Sequence, residues 1–149
     1  MRELVFALEF RGRGGPEPGS TTKRRARTTA PSQALRTLMA PDGVSAAVEP
    51  LPGESAILES RVERFPDGSF VEDGTITYGT AGAVTFVTVG RGHVGQAPAA
   101  GWSHGVVMWR ITGGDVRFAG AHGLITSNFT VSPDGLVTDD HFTRLYLPE

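Results

Sequence analysis

The feature that most constrains this chain is a turn that it uses three times. Pro-Asp-Gly occurs at residues 41–43, 66–68 and 133–135. Proline presets φ at the first corner of such a turn, and glycine takes the positive φ that closes it. The second copy sits between Ile57–Phe65 and Ser69–Tyr78, two runs rich in strand-forming residues. At the N-terminus, Leu4, Phe6, Leu8 and Phe10 alternate with Glu3, Val5, Ala7 and Glu9. A period of two is the mark of a strand with one buried face. Period-two segments folded back at tight turns give antiparallel sheet.

Further strands are expected at Val44–Glu49, Ala83–Val89, Gly105–Thr112 and His122–Ser132, and a last one runs through His141–Leu147. Gly12–Thr29 is polar and punctuated by Gly14-Gly15-Pro16 and Pro18-Gly19, so it reads as a long loop with at most a short edge strand. Ser32–Met39 is the one helix candidate, because Leu35, Leu38 and Met39 have helical spacing. The count is about eight strands at regular spacing, a sandwich or barrel pattern. Short connections join the later strands into a meander, and closure would remove the edges that long strands expose. The expected fold is therefore all-β: residues 1–149 as a single closed antiparallel β-barrel of calycin-like type.

Composition excludes several chemistries. The chain has no cysteine, so thiolate metal sites, disulfides and cysteine nucleophiles are absent. A formal charge of -2 gives no global field for nucleic acid or anionic lipid. No apolar stretch is long enough to span a bilayer as a helix, and the N-terminal run is broken by Glu9 and Arg11, so a cytoplasmic location is expected.

The segment Ile111–Ile125 contains Thr112-Gly113-Gly114, Phe118, Gly120-Ala121 and Gly123. It resembles the signature hairpin of allene oxide cyclase-like and dirigent-like barrels, and the likeness extends over roughly residues 70–147. The resemblance implies an eight-stranded barrel, oligomeric in many relatives, with a pocket for a hydrophobic small molecule. The Glu-x-Asn and Ser-Pro pairing of plant cyclases is here Glu9-x-Arg11 and Gly15-Pro16, so no specific reaction is carried across. The glycines also have a local reading: Gly113 and Gly114 allow a turn, while Gly120 and Gly123 sit where a barrel bends or backbones approach.

Other motifs are weaker. Gly90-Arg91-Gly92-His93-Val94-Gly95 matches a dinucleotide fingerprint, but Pro98 and Gly101 forbid the helix that would hold a pyrophosphate. Lys23-Arg24-Arg25-Ala26-Arg27 lacks interleaved aromatics and reads as a solvated loop. His93, His104, His122 and His141 show no metal-ligand spacing, so each is read as solvated or hydrogen-bonded. Glu59, Arg61, Glu63, Glu72 and Arg110 are expected mostly on outward faces. His104, beside Trp102, is the best single general base. Glu9 would be an acid or base if the Val5-Ala7-Glu9 face lined a cavity, and inert if it faced solvent.

These readings point to a barrel that binds a hydrophobic small molecule, without cofactor or metal, and steers a cyclisation or isomerisation by shape and exclusion of water. A non-catalytic carrier, or a filled barrel acting through its surface, is the alternative. Candidate catalytic residues are Glu9 and His104. Candidate ligand contacts are Tyr78, Phe86, Met108, Trp109, Asn128 and Tyr146. Trp102 and Trp109 have opposite parity, and Trp109, between Val107 and Ile111, is expected to be the buried one. An interior void of several hundred Å³ would favour ligand binding. Surplus outward apolar residues suggest a homodimer or other homo-oligomer.

Overall fold

The structure is a computed structural model that describes Met1–Glu149. Strand accounts for 69% of residues and helix for 4%, so the all-β expectation holds. The strands are β1 (Arg2–Pro16), β2 (Lys23–Ala30), β3 (Gln33–Ala40), β4 (Gly43–Pro50), β5 (Ala56–Arg64) and β6 (Ser69–Tyr78). They continue with β7 (Ala83–Thr88), β8 (Gly92–Gln96), β9 (Ser103–Gly114), β10 (His122–Val131) and β11 (Leu136–Leu147). Single 3₁₀ turns lie at Gly79–Ala81 and Val116–Phe118.

Eight strands close an antiparallel barrel in the order β1-β2-β5-β6-β7-β9-β10-β11, with β11 returning to β1. Closure rests on a twelve-residue ladder from Arg2↔Leu147 to Arg13↔Leu136. The ninth strand, β8, bonds to the same neighbours as β7, at Ser69↔His93 on β6 and His93↔Val106 on β9. It follows a break at Val89–Arg91, where Gly90 takes φ +66°. The dinucleotide-like glycines thus serve a strand break and open no helix.

Two sequence expectations are corrected. Ser32–Met39 is not a helix; β3 pairs with β4 from Gln33↔Pro50 to Ala40↔Gly43, around the Pro41-Asp42 turn. The hairpin turn outweighs a helical spacing carried by only three apolar residues. Gly12–Thr29 is not a long loop either. β1 runs on to Pro16, β2 pairs with it, and the connection is Glu17–Thr22. Gly12 makes this possible: a Cβ there would sit 2.2 Å from the Arg27 carbonyl oxygen, so only glycine admits so close a neighbour. The basic run alternates, with Arg24, Ala26 and Thr28 facing inward and Lys23, Arg25 and Arg27 outward.

The core is the barrel interior. Phe10, Leu58, Ile76, Phe86, Trp109, Ile125 and Leu145 are almost fully buried along its length. Leu4, Phe6, Tyr78, Phe118 and Leu147 close one end; Phe6 meets Tyr78 edge-on at 5.5 Å, and Phe118 packs on its other side. The opposite end is open.

Candidate functional site

Below the open end the barrel's inward positions turn polar. On β5 and β6, Ser60 and Glu72 follow the alternation that buries Leu58 and Ile76. On β10 and β11 the same rule turns Ser127, Asp139, His141 and Thr143 inward, all of them buried. Ser60 Oγ donates to Glu72 Oε2 at 2.6 Å. Ser127 Oγ donates to Asp139 Oδ1 at 2.5 Å, and His141 Nε2 lies 2.8 Å from Asp139 Oδ2. The His141 ring is fixed by Phe10 at 4.4 Å and by the edge of Trp109 at 5.0 Å. Thr28 Oγ1, His141 Nδ1 and Trp109 Nε1 are buried with no protein hydrogen-bond partner, while the buried Tyr78 and Thr143 hydroxyls lie next to each other.

Four of these residues, Glu72, Asp139, Ser127 and Thr28, floor a cavity of about 130 Å³ that opens between β1, β2, β5, β6, β10 and β11. Leu58, Val62, Phe70, Phe129, Val131 and Val137 form its apolar walls. Glu72, Asp139, Ser127 and Thr28 supply polarity below, while Arg24 and Arg64 stand at the rim. The void is smaller than the several hundred Å³ anticipated from the sequence, and close to the class of cavity that accepts a benzene-sized body.

Electrostatics set two distinct layers. Burial pushes the Glu72 carboxyl up to about 8; Ser60's hydrogen bond opposes this, and the nearby carboxylates of Asp139 and Asp73 reinforce it. Glu72 is therefore largely protonated at neutral pH, a donor as well as an acceptor. At the rim, neither Arg24 nor Arg64 makes a salt bridge or donates a side-chain hydrogen bond. Desolvation, and secondly the charge of Arg24, hold the Arg64 pKa below its ordinary value.

The sequence-derived residues fall elsewhere. Tyr78, Phe86 and Trp109 do point inward, and Trp109 is 1% exposed and stacked on Phe86 at 4.3 Å. They pack the filled part of the barrel and do not wall the cavity. Met108, Asn128 and Tyr146 face outward on β9, β10 and β11, with Tyr146 opposite Glu3. Glu9 is also outward. It bridges to Arg11 at 2.9 Å and sits across from Asp140, whose carboxyl is pushed up to about 6 by desolvation and by Glu9. His104 is exposed on the outer face, across from Gly95 and Thr130. Glu9 and His104 therefore neither meet each other nor reach the cavity: the Val5-Ala7-Glu9 face is the outer wall.

The polar groups that do converge, Glu72, Ser60, Asp139, Ser127 and His141, were not singled out from the sequence as a site. Their signal was parity. Val137, Asp139, His141, Thr143, Leu145 and Leu147 keep one face of β11, so the apolar end of the strand sets the side to which its polar residues belong. No three His, Asp or Glu side chains stand close enough to share a metal ion. No protein-family model matches the chain, and neither a curated protein nor a solved structure shows significant similarity to it.

Proposed function

We propose that this barrel binds a compact, mostly apolar molecule bearing an anionic or carbonyl oxygen, and that Glu72 gives it a proton in a cofactor-independent isomerisation or cyclisation. The observation that carries this reading is the Glu72 carboxyl, hydrogen-bonded to Ser60 on the floor of an apolar-walled cavity where burial favours its protonated form. A proton passes from Glu72 to a ligand oxygen, and a carbon-bound proton returns to the carboxylate left behind or to neighbouring Asp139. Composition is unchanged, as an isomerisation requires. Such chemistry needs an acid matched to working pH and a shape that excludes water. Arg24 and Arg64, free of protein partners, would receive an anionic group at the rim by charge-assisted hydrogen bonds.

The test is calorimetric titration with paired aromatic or short branched carboxylates and their neutral amides. Replacing both rim arginines by alanine should weaken carboxylate binding about tenfold or more while sparing the amide. Ala26→Phe, which fills the cavity, should abolish both. Absence of binding by any compound of this size, or binding indifferent to Ala26→Phe, would refute the reading. A carrier would use the same cavity, and Glu72→Gln separates the two: an enzyme loses turnover with binding retained, whereas a carrier changes little.

A further inference from the structure

The barrel carries an arm. β3 and β4 form a two-stranded ribbon that belongs to no larger sheet. Its register places Leu35 opposite Val48, Thr37 opposite Ala46 and Met39 opposite Val44 on one face. That face is apolar and uncovered, with Met39 at 78% and Val44 at 71% exposed. The other face carries the ribbon's charges, where Arg36 bridges Glu49 at 3.0 Å, beside a single exposed Leu38. A two-stranded ribbon with nothing packed on it is marginal in water.

A second uncovered apolar surface lies beside the arm's root. Across the outer wall, Ala7 pairs with Phe142, Phe142 with Thr126 and Thr126 with Met108, and Val89 N–H donates to the Met108 carbonyl. Val5, Leu124 and Val106 flank this row. Leu35 overhangs it, sharing one groove with Phe142, Met108 and Val89. Of the 15 large hydrophobic residues that are exposed, all but Met1, Trp102 and Val116 lie on the arm segment or on this wall. Scattered exposed apolar residues need no explanation; two concentrated patches do.

We propose that two copies of this chain exchange arms, each laying the apolar face of its β3–β4 ribbon on the partner's outer wall around a two-fold axis. The arm cannot serve its own wall fully. Its root is pinned, with Gln33 bonded to the Glu9 backbone and Leu51 N–H to Ser32, and its eight-residue strands carry the tip roughly 25 Å away. The most exposed residues, Met39 and Val44, are at that tip. Without Leu38 and Leu51, which have the parity of the ribbon's other face, the remaining ten side chains present on the order of 900 Å² per copy, against the ~800 Å² per partner that a standard interface buries. Charged groups border the wall at Arg144, Arg110, Glu9 and Asp140, the polar rim that an apolar interface core requires.

Sedimentation equilibrium of the full chain should show a dimer at micromolar concentration. Met39→Glu with Val44→Glu on the arm, or Met108→Glu on the wall, should each raise the dissociation constant at least about thirtyfold. The circular dichroism spectrum should be unchanged, and Val106→Glu substitutes if Met108→Glu disturbs folding. Mixing the arm variant with the wall variant should restore association, since that pair retains one intact arm and one intact wall in register. A monomeric parent chain overturns the proposal. So does a dimer that survives the wall substitutions, which means arms pairing with arms, or one that survives the arm substitutions, which means walls pairing with walls.

Discussion

Glu72 shows how one residue can be read two ways. On β6 it lies between strand-forming neighbours and looks like a solvent-facing charge, yet the alternation that buries Phe70 and Ile76 turns it inward. Its protonation has a measurable consequence. With a folded pKa near 8 and an ordinary value of 4.5, the native state holds a proton that the unfolded chain releases. Its stabilising effect is complete below the unfolded value and is lost as pH rises through the folded one, so stability falls across that window. Asp140, raised to about 6, contributes a similar slope at lower pH. Above about pH 6.5 the remaining slope should therefore be mainly that of Glu72, at most about 1.4 kcal/mol per pH unit. Urea midpoints compared between about pH 6.5 and 8 should fall for the parent chain and stay flatter for Glu72→Gln, a neutral isostere. Equal slopes in the two proteins would mean that Glu72 is ionised in the fold, and the proton-donor reading would go with it.

Among the elements, the arm is the one whose removal should matter least to the barrel. None of the 16 core residues lies in β3 or β4. The Leu51–Ser32 hydrogen bond and the Gln33↔Pro50 pair bring the two ends of the arm together, so a Gly-Gly turn can replace Ala34–Glu49. The shortened chain should keep the strand spectrum and, in dilute solution, its unfolding free energy to within about 1 kcal/mol. A collapse of the barrel on deletion would assign the arm a structural role that its exposure does not suggest. The sequence misleads in β3, one strand of the arm, and in β2, whereas Val44–Glu49 is legible as β4. In the arm, Leu35, Leu38 and Met39 fit a helix turn locally, and only pairing across Pro41-Asp42 decides otherwise. In β2 the charge of Lys23–Arg27 hid a period of two whose inward members include Arg24. In β11 the strand itself is legible, and Leu145 and Leu147 set the side to which its polar residues belong. Strands with one apolar face, such as β1, β5 and β9, were legible because burial and alternation agreed there. Trp109 was placed inward for that reason. The site was illegible because a polar cavity reverses the usual correspondence between inward and apolar.

For the whole molecule, the decisive contact is the longest-range one. β1 and β11 are the first and last strands, and their ladder from Arg2↔Leu147 to Arg13↔Leu136 turns an open sheet into a barrel. Closure must wait for pairing between opposite ends of the sequence, the slow kind of contact in β folding. If the ring holds the fold, the position of the chain break along it should matter little, provided that every ladder can still form. Met1 N lies 3.2 Å from a Glu149 side-chain oxygen, so a few glycines can join residues 1 and 149 without strain. The tip of the arm at Pro41-Asp42 is exposed and contacts no part of the barrel core, which makes it a suitable place for new ends. The permuted chain, beginning at Asp42 and ending at Pro41, should recover the parent's circular dichroism spectrum and cooperative unfolding. It should refold at a rate close to the parent's, because the β1–β11 pairing becomes local while the β2–β5 ladder becomes the long-range step that closes the ring. The β3–β4 pairing of the arm is made long-range by the same cut, and so is the β2–β5 ladder from Lys23↔Glu63 to Ala30↔Ala56. A permutant that remains unfolded, or refolds about tenfold or more slowly than the parent, would show that closure cannot be moved from the β1–β11 ladder to the β2–β5 ladder.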